Sequence, residues 1–130
     1  MDLILDQPGN YHFIRSVTEK GIQVGDEFFR EPFIMNAEHI IPHWPVSEIE
    51  LINEQHLEQV MELEPEVVLI GTGAKQKFLD PKQMMLFYSR NIGLEVMTTD
   101  AACRTFNVLV SESRNVAAIL LPIQSPNGNS

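Results

Sequence analysis

The alternation of strand-like and helix-like segments after Glu66 restricts the fold more than any other feature of this chain. Val67-Val68-Leu69-Ile70 is an unbroken apolar run, the pattern of a strand buried on both faces. Gly71-Thr72-Gly73 ends it, and Asp80-Pro81-Lys82-Gln83 then reads as a helix start, with Asp as cap, Pro at the first helical position and Gln three after the cap. Met84, Phe87, Tyr88 and Ile92 supply an inner stripe, and Gly93 is expected to be the left-handed C-cap. Leu94 to Met97 is a second strand. Thr99 or Asp100 is expected to cap a further helix that buries Ala102, Phe106, Leu109 and Val110 and ends near Asn115. Val116 to Leu121 is the last strand, stopped by Pro122. The result is β-α-β-α-β, which belongs to the α/β class, with right-handed crossovers wherever the strands are parallel.

The first half carries different signals. Tyr11, Phe13 and Val17 alternate imperfectly with His12, Arg15 and Ser16, Glu19-Lys20-Gly21 is a turn, and Ile22-Gln23-Val24 returns, which predicts a hairpin. Phe28-Phe29 and Phe33-Ile34-Met35 flank Pro32, so that stretch is an edge strand or a bent one. Pro42 and Pro45 exclude a helix around His43-Trp44. Leu57, Val60 and Met61 then mark one face of a helix capped by Asn53, or started earlier by Ser47 with Glu50, and ended by Pro65. The N-terminal hairpins should cover or extend a central sheet that need not be all parallel. We expect an N-terminal extension over 1–10, a single α/β domain over 11–122 and a flexible tail over 123–130.

Charge divides the chain unevenly. Residues 1–66 hold fourteen acids and three bases, net −11, whereas residues 67–130 hold four acids and six bases, net +2. An overall charge of −9 disfavours nucleic acid as a partner, because that binding needs a positive footprint, and it disfavours an anionic membrane surface likewise. The apolar runs fall well short of the roughly 20 residues that span a bilayer, so direct membrane insertion is not expected. Cys103 is the only cysteine, which excludes an internal disulfide and suits a reducing compartment. The start, Met1-Asp2-Leu3-Ile4-Leu5-Asp6, has neither a secretory nor a transit-peptide pattern, and a cytoplasmic location is the expectation.

Ligands of open α/β sheets collect beyond the carboxyl ends of strands. The two relevant ends are Gly71-Thr72-Gly73-Ala74-Lys75 after strand 67–70, and Thr98-Thr99-Asp100 with Arg104 after strand 94–97. If those strands are neighbours, glycine backbones, threonine hydroxyls and a guanidinium converge on one crevice suited to a carboxylate or phosphate. The alternative is that the glycines permit a tight turn, the threonines cap a helix and Arg104 pairs with a surface acid. A dinucleotide or phosphate-loop fingerprint is absent, since Gln76 stands where a third glycine belongs and no Gly-Lys-Ser/Thr follows. Lys75 and Lys77 read as a solvated basic edge. Cys103 would sit in the first turn of a helix, where the dipole can lower a thiol pKa, though a nucleophile would also need a base. His39 and His43 have helical metal-ligand spacing, but Pro42 intervenes, and no metal or cofactor is expected. Glu54, Glu58 and Glu62 form an acidic stripe that is either a solvated helix face or a dock for a basic partner.

Two blocks carry a family resemblance. One is Val68-Leu69-Ile70-Gly71-Thr72-Gly73 with Gln76 and Phe78; the other is Gly93-Leu94-Glu95-Val96-Met97, Ala101-Ala102-Cys103-Arg104-Thr105-Phe106-Asn107 and the strand from Val116. Together they resemble a family of small, mostly uncharacterised proteins that includes the mitochondrial respiratory complex I assembly factor 3, most strongly over 66–121. The resemblance implies a three-layer α/β domain with a mixed central sheet whose last strand runs against the others. It also implies a role beside other proteins, with a membrane-complex assembly intermediate as the kind of partner. Phe106 stands where a Tyr is common, and Thr98-Thr99-Asp100 differs from the usual Asp-Thr arrangement. On that basis the leading expectation is a protein-interaction or assembly-factor-like domain. The runner-up is a small-anion-binding protein or enzyme using Gly71, Thr72, Gly73, Thr99, Arg104 and Asn107.

Overall fold

Every second residue of the central strands serves a different core, and this fixes the layering. The computed structural model describes residues 11–123; the expected extension at 1–10 and most of the expected tail lie outside them. Five strands form the main sheet: β4 (Phe33–Met35), β5 (Ile40–Ile41), β6 (Val67–Gly71), β7 (Gly93–Met97) and β8 (Val116–Leu120), in the order β5-β4-β8-β6-β7. Val68 and Ile70 of β6, with Ala117 and Ile119 of β8 and Ile34 of β4, face one core. Leu69, Val116, Ala118, Leu120, Phe33 and Met35 face the other. A period of two on strands buried on both sides produces this partition.

The first core is closed by α1 (Glu54–Met61) through Leu57 and Val60, by α2 (Pro81–Tyr88) through Phe87, and by Trp44, Val46, Ile49 and Ile52. The second is closed by α3 (Thr99–Ser111) through Ala102, Cys103, Phe106 and Val110. Beside α3 lies a separate antiparallel sheet of β1 (Ile14–Thr18), β2 (Gly21–Val24) and β3 (Glu27–Phe29), which adds Ile14, Ile22 and Val24 to that core. The chain is thus a three-layer α/β domain with a mixed sheet, and the predicted hairpin forms at Thr18–Gly21. Pro32 falls at the break between two sheets: β3 is an edge of the small one, whereas β4 lies inside the large one between β5 and β8.

Several expectations need correction. β8 does not run against all its neighbours: it is parallel to β6, as β6 is to β7, and antiparallel only to β4. The left-handed residue after α2 is Asn91 (φ 61°), and Gly93 instead begins β7; an Asn tolerates that conformation, so the glycine is not needed there. Tyr88 faces outward rather than inward. α3 is capped by Thr98, whose side chain accepts from the Ala101 N–H, and it stops at Ser111, with Ser113 in the left-handed region. α1 starts at Asn53, where a reciprocal pair with His56 forms the capping box, and Ser47-Glu50 leads only into a short 3-10 turn at Ile49–Leu51. It ends a turn ahead of Pro65, at Met61. The Asp80–Gln83 box forms as the sequence predicts.

The two halves of the chain are tied by Glu66, which accepts from Arg114 Nε (3.1 Å) and from the Asn115 N–H (3.2 Å). The Asn115 N–H foremost, then Arg114, hold its carboxyl below the usual carboxylate range. A depressed folded pKa adds stability that is present above the unfolded value, about 4.3, and is lost as pH falls through the folded one. Glu66→Gln should therefore lower Tm at pH 7, with the gap to wild type closing in acid; a gap independent of pH would contradict the role.

Candidate functional site

Because β6 and β7 are parallel neighbours, their carboxyl ends do emerge side by side, and the loop after β6 meets the start of α3. The junction is held by Thr99. Its Oγ accepts from the Gly73 N–H (2.8 Å) and donates to the Leu121 carbonyl (2.5 Å), while its own N–H donates to the Gly73 carbonyl (3.0 Å). Thr99 is fully buried. Gly71 is needed for close approach: a Cβ there would lie 2.8 Å from Thr99 Cα and 2.9 Å from its Oγ. Gly73 has a φ of +101°, a conformation that side chains rarely adopt. Thr72 Oγ donates within the same corner, to Lys75 O (2.6 Å) or Met97 O (3.2 Å), and accepts from the Lys77 N–H (3.2 Å).

The remaining predicted residues lie apart from this corner. Arg104 reaches back one turn to Asp100 on the exposed side of α3 (2.5 Å). Asn107 clamps β1 to α3: its Oδ1 accepts from the Ile14 N–H (3.0 Å) and its Nδ2 donates to the Ile14 carbonyl (2.8 Å). Satisfying both backbone groups of one strand residue fixes how the small sheet docks. Asn107→Ala should cost about 1–2 kcal/mol, since two partly buried groups lose their partner. Amide exchange should accelerate in β1 to β3 more than in β6 and β8; uniform acceleration would show that the clamp is not local.

An open pocket of about 760 Å³ does border the corner. It is lined by Gly73, Ala74, Thr98 and Asp100 from one side and by Val17, Thr18, Glu19 and Lys20 of the β1–β2 hairpin from the other. Of the six predicted ligand residues only Gly73 lines it. Lys20 is the basic side chain that sequence reasoning missed; the turn signal at Glu19-Lys20-Gly21 was visible, but nothing local says that a hairpin in the other half of the chain arrives here.

Cys103 is buried, and its thiol is pushed up to about 12, first by desolvation and then by nearby Asp100, against a smaller opposing effect of Arg104. Burial outweighs the helix dipole, which corrects the sequence argument for a lowered pKa. Iodoacetamide at neutral pH should leave the native thiol unlabelled and label it in denaturant; rapid native labelling would refute the burial argument.

The histidines are dispersed. His43 pairs with Glu31 (2.9 Å) from a left-handed backbone (φ 58°), and His39 lies on an exposed turn closed by the Asn36 side chain. Among the described residues no group of three or more His, Cys, Asp or Glu is placed to hold a metal ion. Trp44 is buried as a core anchor with its ring edge-on to His56. On α1, Glu54, Glu58 and Glu62 all face solvent, and Glu58 meets Arg90 at the end of α2 (3.4 Å). No helix among the described residues is long and apolar enough to cross a membrane.

Comparison with known proteins places this geometry among relatives. A family model described as "Protein of unknown function (DUF498/DUF598)" matches residues 14–121. A protein of Francisella tularensis subsp. holarctica named "13 kDa major membrane protein" is 33% identical over 95 residues, covering 72% of this chain and 76% of that one. The NADH dehydrogenase (ubiquinone) 1 alpha subcomplex assembly factor 3 of Xenopus tropicalis is 32% identical over 116 residues, covering 88% of this chain but 63% of its own length. The crystal structure of a protein from Bordetella parapertussis superposes with a TM-score of 0.81 at 34% identity, over 86% of this chain and 96% of that one.

Proposed function

Since the chain belongs to the DUF498/DUF598 family and is homologous to the complex I assembly factors, we propose that it is a non-catalytic, assembly-factor-like domain that works by holding another protein. The observation that carries this reading is the acidic face of α1. Glu54 and Glu62 are exposed and have no ion-pair partner among the described residues, and Glu58 has only a long, exposed contact to Arg90. Like charges four apart on one helix disfavour the helix slightly and favour a basic partner. The reading is further supported by the corner at Thr99, whose polar groups bond within the fold. The partner we propose is a basic surface of a membrane-complex assembly intermediate, met in the cytoplasm. The chain spans about 63% of the Xenopus relative's length, so that relative's role is carried over as a proposal.

The test is affinity purification of the full chain from its own cells. A partner retained by wild type should be lost when Glu54, Glu58 and Glu62 are all changed to Lys; an unchanged set of partners sinks the docking face.

A second reading is favoured by the 760 Å³ pocket. There Gly73, Ala74 and Thr98 would border a small anion, with Lys20 as the basic side chain in the lining. Stabilisation in a thermal-shift screen of phosphates, nucleotides and carboxylates, abolished by Lys20→Ala, supports it. No shift with any of them favours the first reading.

A further inference from the structure

The second helix and the loop before it reverse the charge of the molecule. Residues 74–91 contain four of the nine bases, Lys75, Lys77, Lys82 and Arg90, but only one of the eighteen acids, Asp80, so a local charge of +3 stands in a chain of net −9. The same segment exposes apolar side chains to an unusual degree: Phe78 is 77% exposed, Met85 58% and Tyr88 47%. Met85 and Tyr88 are three apart and share the outward face of α2, the inward face being Phe87. Lys77 Nζ in the same loop meets Glu50 of the 3-10 turn (3.5 Å). Aromatic and Met side chains within a charged rim are the composition of protein docking surfaces.

We propose that Met85 and Tyr88 on the outward face of α2, with Lys82 beside them and Phe78 and Lys75 in the loop before it, dock an acidic, amphipathic segment of a partner protein. Charge complementarity selects the occupant: among the described residues Lys75 and Lys82 have no ion-pair partner, whereas Lys77 and Arg90 meet Glu50 and Glu58. An anionic bilayer fits worse, because the acidic face of α1 adjoins the same surface through the Arg90–Glu58 contact and would meet the lipid with it. The proposal rests on the interaction-domain reading but concerns a different surface with the opposite charge preference.

A photo-crosslinking amino acid at Met85 of the full chain, irradiated in its own cells, tests it. The expected adduct is a peptide of another protein that is net negative and carries apolar residues, and Lys75→Glu with Lys82→Glu should reduce its yield at least about fivefold while the melting curve stays near wild type. Failure to find a protein adduct overturns the proposal, as does an adduct to lipid, to a second copy of this chain or to a basic peptide, or a yield insensitive to the two charge reversals. A parallel crosslinker at Glu62 reports on the α1 face, so loss of one docking surface is distinguishable from loss of the other.

Discussion

Thr99→Val will destabilise the protein by about 2–4 kcal/mol with little change in shape, as two buried backbone groups lose their partner at about 1–3 kcal/mol each. Valine matches threonine in volume, so the loss isolates the hydroxyl. Without it the Gly73 N–H has no acceptor and the Leu121 carbonyl loses the donor at 2.5 Å. Both groups belong to loops leaving parallel strands, so the damage should appear first as faster exchange at Gly73 and at the start of α3. A fall in Tm on the order of 10 °C is expected for a domain of this size. Thr99→Ser, which keeps the bridge, should lose much less. Equal stability of the valine and serine variants would mean that the bridge contributes little.

Gly71→Ala should be almost as severe, at about 3 kcal/mol, the upper part of the range for overpacking a filled interior. The new methyl would stand 2.8 Å from Thr99 Cα and 3.2 Å from Ala102 Cβ. The first of these is backbone, so relief requires moving α3 off the sheet rather than turning a side chain. The two substitutions act on one contact and should not add: a helix displaced by the methyl at position 71 has already stretched the Thr99 bridge. A double variant as destabilised as the sum of the singles would show independent effects. Chemical denaturation of the four proteins measures the cycle.

The elements whose signals are local were legible from sequence. The run Val67–Ile70, the Asp80-Pro81-Lys82-Gln83 start and the Asn53 cap each state their structure within a few residues, and all three form. Ends were less legible: Asn91 competes with Gly93 for the left-handed turn, and Thr98 competes with Thr99 and Asp100 as cap. Thr99 in fact faces inward as the bridge, a role no helix-start pattern distinguishes from capping. Sheet order was not legible at all, because β8 owes its central place to pairing with β4 and β6 from far along the chain. The candidate crevice shows the same limit. Neighbouring strand ends bring its two loops together, the condition the sequence left open, but Asn107 lies on another face of α3, bonded to Ile14, and Lys20 arrives from a hairpin in the other half of the chain.

The placement of β8 also bears on how the molecule is made. The last of the described strands to leave the ribosome is the one that separates β4 from β6, so a chain reaching only to Asn115 lacks the strand through which β5-β4 and β6-β7 become one sheet. Each presents to its surroundings a strand meant for burial on both faces, an invitation to wrong pairing. Only when Val116–Leu120 emerges can the halves be joined, through its pairing with β4 on one side and β6 on the other. Synthesis of this chain therefore has a vulnerable interval that closes with β8.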